Sequence, residues 1–218
     1  MQSKCLPVMT SRQSHHLLYR DNLGIMLLSH YLPQSRDLTY LEMDNFPELP
    51  VLLIKDMQSN KKITTLKLSR FGPSSMIYET IKDLAPNLEV LTLATLDLTS
   101  EEFIKLLEVL PKGLRELKMS SNNITNQMLA APEISELLNQ VLVLDLTDCS
   151  SITNEAIAML VTLKHLQRLV LIGCTGIIDQ DFYASVLVVA STSLLRIVTR
   201  HGKADLVQKK NFNFFFFC

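Results

Sequence analysis

The sequence has almost no net charge and no long apolar run. Its 21 basic and 22 acidic residues leave a formal net charge of −1, so nothing attracts the whole chain to nucleic acid or to an anionic membrane. No apolar run, including 186–190, approaches the ~20 residues that a membrane span needs. The amino terminus also lacks the continuous apolar core of a secretory signal. We therefore expect no nucleic-acid partner, no membrane association and a cytoplasmic or nuclear location.

Residues that support common enzyme chemistries are also scarce. The four cysteines form no C-x-x-C pair, which argues against a disulfide scaffold or a zinc module. The six glycines form no G-x-x-x-x-G-K or G-x-G-x-x-G loop, and neither G-x-S-x-G nor H-E-x-x-H occurs. The five histidines are scattered along the chain. We therefore expect no catalytic residues, no metal and no cofactor, and predict that the protein is not an enzyme.

What the chain has in abundance is one repeated phrase, L-x-x-L-x-L. Successive copies are separated by 25, 25, 26, 27, 25 and 28 residues, and they open at Leu38, Ile63, Leu88, Leu114, Val141, Leu166 and, more faintly, Leu194. A period in the twenties that carries this phrase is the signature of a leucine-rich repeat solenoid, with a short parallel strand and a helix in each turn. The sequence therefore predicts an α/β fold, a curved horseshoe of about six to seven repeats with strands on the concave side and helices on the convex side.

Alternation within each strand predicts which side chains point into the core. The fourth and sixth places of the phrase lie on one side of the strand, so pairs such as Leu91 with Leu93 point inward. The intervening residues then form the concave surface, where charge of both signs lies beside apolar groups, as in protein interfaces. A nucleic-acid groove would instead need clustered Lys and Arg with stacking aromatics. The predicted protein-binding residues are Tyr40, Glu42, Thr65, Lys67, Thr92, Glu116, Lys118, Asp145, Arg168 and Val170.

The stretches between strands read as helices. Ser100 is a plausible N-cap because acidic residues follow it and an apolar stripe begins at Phe103. Thr153 is placed in the same way in its repeat. The remaining predicted helices cover 75–84, 126–138, which Pro132 interrupts, and 179–190.

Both ends depart from the repeat pattern. We divide the chain into a leader (1–37) with one cap-like helix, the solenoid (38–200) and a tail (201–218). The tail ends in KKNFNFFFFC, and four consecutive phenylalanines on a soluble tail are an aggregation hazard. We expect the tail to be disordered or the product of translated non-coding sequence. A hydrophobic anchor is the functional alternative.

Cys149 and Cys174 stand at the same place in successive repeats, 25 residues apart. Neighbouring strands lie ~4.8 Å apart, which would bring the two thiols close enough for a redox switch or half of a metal site. The alternative is a ladder of buried thiols that act as small hydrophobic groups at a tight turn. Asn122 takes the equivalent place one repeat earlier, which suits turn packing and not redox chemistry. We therefore predict that both thiols are reduced, buried and free of metal.

The segment 141–178 resembles the cysteine-containing subclass of leucine-rich repeats. The subclass follows L-x-x-L-x-L-x-x-C-x-x-I-T-D-x-x-[LI], with Asn154 here in place of the usual Asp and Ile178 in place of Thr. The earlier repeats match it loosely, since Phe46, Phe71 and Leu96 replace the Cys or Asn. The residues that carry the resemblance are Cys149, Ile152, Thr153 and Ile157 in one copy and Cys174, Ile177 and Asp179 in the next.

This subclass is known from F-box/LRR proteins, which present substrates to a cullin-based ubiquitin ligase. The resemblance implies a protein-protein interaction module whose partners include ubiquitin ligase subunits. Residues 1–37 lack the helical pattern of an F-box, so the ligase role rests on analogy. The alternative is a mitochondrial assembly factor that resembles an ATP synthase coupling subunit. Lys4, Arg12 and Arg20, with no acid before Asp21, leave a mitochondrial location open.

Overall fold

Strands that are neighbours in the sequence are neighbours in one sheet. The computed structural model describes residues 16–19, 32–35, 37–44, 57, 60–70, 78, 81–82, 87–177, 194–198 and 204–208. Within these residues β1 to β8 pair in parallel in chain order, and β9 pairs antiparallel with β8. The strands are β1 His16–Tyr19, β2 Tyr40–Asp44, β3 Thr65–Ser69, β4 Val90–Ala94, β5 Glu116–Lys118, β6 Val143–Asp145, β7 Arg168–Val170, β8 Leu194–Val198 and β9 Ala204–Gln208.

The strand register aligns the copies of the repeated phrase. The fourth places pair with one another from β2 to β7 and are at most 1% exposed: Leu41, Leu66, Leu91, Leu117, Leu144 and Leu169. Strands of a parallel sheet need crossover connections, and the segments between these strands contain the helices. The predicted parallel sheet with helices and the inward leucines are thus observed, and this arrangement is compatible with an α/β solenoid.

A left-handed residue follows each strand from β3 to β7, at the eighth place of the phrase. The φ angles there are 56° at Arg70, 57° at Thr95, 54° at Ser121, 59° at Asp148 and 73° at Gly173. The N–H groups of the first four donate to a carbonyl of the following repeat at 2.7–3.2 Å. Left-handed backbone is unfavourable for residues with a Cβ, so the corner is held by these bonds between repeats. This corner turns the chain from the sheet toward the helical side.

Helices follow several of the strands. Their bounds are α1 Ser100–Glu108, α2 Asn126–Leu129, α3 Ile134–Leu137 and α4 Asn154–Leu160, with a 3₁₀ turn at Leu32–Gln34. Pro132 separates α2 from α3, as the sequence predicts for 126–138.

The caps of two helices can be compared with the sequence. Thr153 caps α4 as predicted, and its hydroxyl accepts the N–H of Glu155. The prediction for α1 is wrong by one residue, because Thr99 and not Ser100 is the N-cap. The Glu102 carboxylate accepts the N–H of Thr99, and the Thr99 hydroxyl accepts the N–H of Glu102, forming a capping box.

One hydrophobic core lies between the sheet and the helices. Phe103 and Leu106 of α1 and Ile157 of α4 belong to the same buried cluster as the inward strand leucines. Because the helices cover only the inward face, the alternate residues of β2 to β6 remain partly exposed on the other side. The outward face of the parallel sheet is therefore accessible as a surface.

The sheet extends beyond the predicted solenoid at both ends. β1 lies in the leader, and its register extends the repeat: Leu17 pairs with Leu41, which places Ser14 where the phrase should open. β9 lies in the tail, so residues 204–208 form a strand where the sequence predicts disorder. The predicted leader helix, the helix at 179–190 and the Phe-rich end lie outside the described residues. Of the predicted helix at 75–84, Tyr78, Ile81 and Lys82 are described and are helical.

Candidate protein-binding face

The candidate site is the outward face, which we define as the alternate residues of β2 to β7 that point away from the core. The register sets them in two main rows across the sheet. The first row holds Tyr40, Thr65, Val90, Glu116, Val143 and Arg168. The middle row holds Glu42, Lys67, Thr92, Lys118, Asp145 and Val170.

The structure brings nine of the ten predicted binding residues together at this surface, where each is partly or fully exposed. Val170 differs, since it continues the middle row but is only 4% exposed. Alternation along a strand predicts which way a side chain points, but not whether another part of the chain covers it. Val170 is therefore excluded from the candidate surface. The exposed apolar residue beyond β7 is instead Ile172, whose exposed fraction is 41%. The binding role of the other nine residues stays a prediction.

An aromatic and charged cluster stands at the β2–β3 side of the face. The Tyr40 hydroxyl donates to the Glu42 carboxylate, and the Lys67 Nζ lies 3.6 Å from that carboxylate and 5.1 Å from the centre of the Tyr40 ring. Burial and then the bond to Glu42 raise the pKa of Tyr40. The hydrogen bond with Tyr40, followed by the Glu42 charge, raises the pKa of Lys67 against the opposing effect of burial. Lys67 is therefore a fully charged ammonium at neutral pH.

The other carboxylates of the face are also engaged within the chain. Glu116 pairs with Lys118 on the same strand at 3.0 Å. Asp145 accepts the N–H and the hydroxyl of Thr147 at 2.9 and 2.6 Å. Asp44, at the edge of the face, forms a two-pronged ion pair with Arg70. Each carboxylate of this surface thus has at least one partner within the chain.

The central strand β4 presents no charge. Its outward residues are Val90, Thr92 and Ala94, and all three are partly buried. The hydroxyl oxygen of Thr92 is buried and has no hydrogen-bond partner among the described residues. Burying a hydroxyl without a hydrogen-bond partner costs free energy of folding. The Thr92 oxygen is therefore locally destabilising.

Below the face, Asn122, Cys149 and Cys174 form a ladder at the ninth place of the phrase. Each donates to the carbonyl of the sixth-place residue one repeat earlier. The distances are 2.9 Å from Asn122 Nδ2 to Leu93 O, 3.1 Å from Cys149 Sγ to Met119 O and 3.1 Å from Cys174 Sγ to Leu146 O. The three residues that the sequence places in equivalent positions therefore form equivalent hydrogen bonds. These three side chains hold the corner of the solenoid.

The amide oxygen of Asn122 has a second role, because it accepts the N–H of Leu96 at 2.7 Å. Replacing Asn122 with Val should therefore lower the free energy of unfolding by about 1–3 kcal/mol, since it leaves a buried donor and a buried acceptor without partners. Asn122→Cys should cost less, because a thiol can donate to Leu93 O as Cys149 does to Met119 O. Urea denaturation of the two variants checks this order. Equal losses would contradict the ladder.

Both thiols of the ladder are free and buried. Burial raises the pKa of Cys149 from its ordinary value of 9.0 to about 11, with smaller effects from Asp145 and Asp148. Burial also raises the pKa of Cys174 to about 12, and the neighbouring Cys149 adds to the effect. A thiol with so high a pKa holds almost no thiolate at neutral pH and is a poor nucleophile.

We therefore expect Cys149 and Cys174 to resist a maleimide reagent in native buffer and to react once the chain is unfolded. The measurement uses a Cys5→Ser/Cys218→Ser variant, so that the counted adducts come from these two thiols alone. Rapid native labelling of both, or stoichiometric zinc in a native mass spectrum, would show that the prediction is wrong.

The residues that the structure describes contain neither a candidate metal site nor a candidate membrane helix. No group of three or more His, Cys, Asp or Glu side chains in this part of the chain is arranged to hold a metal ion. None of the helices there is long and apolar enough to cross a membrane.

Comparison with known proteins finds similarity among solved structures. No family model matches the sequence, and no curated protein matches it. Among solved structures, the tropomodulin C-terminal domain of Caenorhabditis elegans is similar at 18% identity, with 64% of this chain and 90% of that chain covered and a TM-score of 0.48. At that level of similarity the fold assignment rests on the register and burial described above.

Proposed function

We propose that this protein is a non-enzymatic protein-binding module that engages its partner through the outward face. The observation that carries the proposal is the strand register, which sets charged, hydroxyl and apolar side chains in rows on one surface. Such a mixture is characteristic of protein interfaces. The described part of the chain offers no metal cluster that would favour a catalytic role.

The dimensions of the face indicate the kind of complex. Six strands at ~4.8 Å spacing span about 24 Å, and the three outward residues of the five-residue strands β2 to β4 extend over about 14 Å. The resulting footprint of about 300 Å² is well below the roughly 800 Å² that each partner contributes to a stable complex. We therefore infer that the loops after the strands take part in binding, or that the complex is transient.

The finer proposal is that the module recognises substrates for a cullin-type ubiquitin ligase. It is supported by the resemblance of residues 141–178 to the repeats of F-box/LRR proteins. The mechanism would be positional: the solenoid holds a substrate close to a ligase, which supplies the chemistry. A transient complex suits this role, since a substrate must leave after modification.

The test is affinity capture from cells with Thr65→Arg/Val143→Arg, which adds two long side chains to the first row. Glu108→Arg, an exposed change on α1, is the matched control. We expect the row variant to lose the wild-type partners and the control to keep them, with cullin-ligase subunits among those partners. Identical partners for wild type and row variant would refute binding through this face. Recovery of mitochondrial inner-membrane subunits without any ligase subunit would replace the ligase role by the assembly-factor role.

A further inference from the structure

Two lysines of the outward face, Lys67 and Lys118, retain hydrogen-bond donors beyond those used by their glutamate partners. The carboxylates of the face are occupied by Lys67, Arg70, Lys118 and the Thr147 groups. Each lysine ammonium has three donors and no acceptor, and a single glutamate uses only part of that capacity. Arg168 is exposed and forms no ion pair within the described residues. The basic residues of the face therefore have donors to offer to a ligand.

Two of these donors lie on either side of the central strand β4. Lys67 and Lys118 are the two neighbours of Thr92 in the middle row, one on each side. At ~4.8 Å between strands, the two lysine Cα atoms are about 10 Å apart, with the Thr92 Cα midway. Lysine carries its charge on a flexible four-carbon stem, so both ammonium groups can reach a ligand atom above Thr92. Their side chains are 34% and 33% exposed, which leaves them accessible.

Neither of the glutamates that pair with these lysines is a neighbour of Thr92 in the middle row. Glu42 lies on β2, on the side of Lys67 away from Thr92, and Glu116 lies in the first row of β5. On β4 itself, Val90 and Ala94 flank Thr92 and carry no charge. Two positive groups thus border an uncharged strand whose Thr92 hydroxyl has no hydrogen-bond partner in the part of the chain that the structure describes.

We propose that Lys67, Thr92 and Lys118 form a carboxylate-binding site that receives an acidic segment of the protein partner. This inference rests on the proposed function and adds the chemical class of the group that the face binds. The partner's carboxylate lies over β4, accepts from both ammonium groups, and takes the hydroxyl hydrogen of Thr92 as the side chains over it move apart. Charge-assisted hydrogen bonds are the stronger class, and the unpaired hydroxyl gains the bond that it lacks.

The probe is a fluorescein-labelled peptide of alternating glutamate and glycine, compared with its glutamine counterpart by fluorescence anisotropy. We expect the glutamate peptide to bind and the glutamine peptide to bind about tenfold more weakly or not at all. Lys67→Gln/Lys118→Gln should weaken the glutamate peptide about tenfold. Lys62→Gln/Lys105→Gln removes two exposed lysines that pair elsewhere, with Asp37 and Glu101, and should change nothing.

Thr92→Val separates a binding role from a structural one. It removes the unpaired buried hydroxyl while keeping the side-chain shape, so thermal stability should be unchanged or higher while the glutamate peptide binds more weakly. Equal binding of both peptides, wild-type affinity in the double lysine variant, or wild-type affinity in Thr92→Val would each overturn the proposal. If the peptide fails while Thr65→Arg/Val143→Arg still abolishes capture from cells, only the carboxylate site is lost. If that row variant captures the wild-type partners, the proposed function is wrong whatever the result with the peptide.

Discussion

Replacing Leu117 by alanine is expected to lower the free energy of unfolding by about 2–5 kcal/mol. Leu117 is fully buried and pairs with Leu91 on one side and Leu144 on the other. Truncation removes apolar contacts and leaves a cavity that the neighbouring strands cannot close, because their spacing is fixed by the ladder of hydrogen bonds. In a solenoid each repeat is stabilised mainly by its neighbours, so a cavity in a middle repeat weakens both interfaces.

Urea denaturation followed by circular dichroism measures this loss. The matched control is Glu116→Ala, one residue earlier on the same strand but on the outward face. It removes only a partly exposed ion pair with Lys118, which should cost about 0–1 kcal/mol. Comparable losses for the two variants would mean that Leu117 is not part of a packed core and would contradict the repeat register.

Changing Lys67, Lys118 and Arg168 together to glutamate should abolish partner capture. The substitutions turn three donors of the outward face into acceptors, so that the proposed acidic segment of the partner would meet negative charge. Like charges brought together at an interface cost several kcal/mol and suppress binding. The fold should survive, since outward strand residues contribute little to the core. Affinity capture followed by mass spectrometry measures the outcome.

The control for this triple variant keeps the charge: Lys67→Arg, Lys118→Arg and Arg168→Lys. It should retain most of the wild-type partners, because the sign of the surface is unchanged. Circular dichroism shows whether each variant is folded, so that loss of capture is read only from folded protein. A folded triple-glutamate variant that recovers the wild-type partners would refute the role of these charges.

The repeated phrase was enough to predict the architecture, because burial imposes a regular pattern on the sequence. Leu91, Leu117 and Leu144 must be apolar to fill the core, and their spacing reports the length of a repeat. β1 was missed because Ser14 takes the place of the leucine that opens the phrase and Tyr19 that of the leucine that closes it. A step of 24 residues back from Leu38 was the signal that could have found it.

Features that depend on contacts between repeats were harder to predict. The left-handed corners at Arg70, Thr95, Ser121 and Asp148 carry no common residue type, so no pattern revealed them. The cap of α1 was placed one residue late because Thr99 and Ser100 are both good capping residues. Only the reciprocal bonds with Glu102 distinguish the two.

The candidate face could be predicted residue by residue but not in its interactions. Alternation put Lys67, Thr92 and Lys118 on one surface, and the register then made them neighbours. The pairing of each lysine with a glutamate, the unpaired hydroxyl of Thr92 and the burial of Val170 depend on three-dimensional packing. Those details carry the chemical argument for an acidic partner.

The most direct test of the central claim is site-specific photo-crosslinking in cells. A photoreactive amino acid placed at Thr65 stands in the first row of the outward face, whereas one at Glu108 stands exposed on α1. Binding through the outward face predicts that the Thr65 position crosslinks the captured partner and the Glu108 position does not. Crosslinking from Glu108 with none from Thr65 would place the partner on the helical side and contradict the claim.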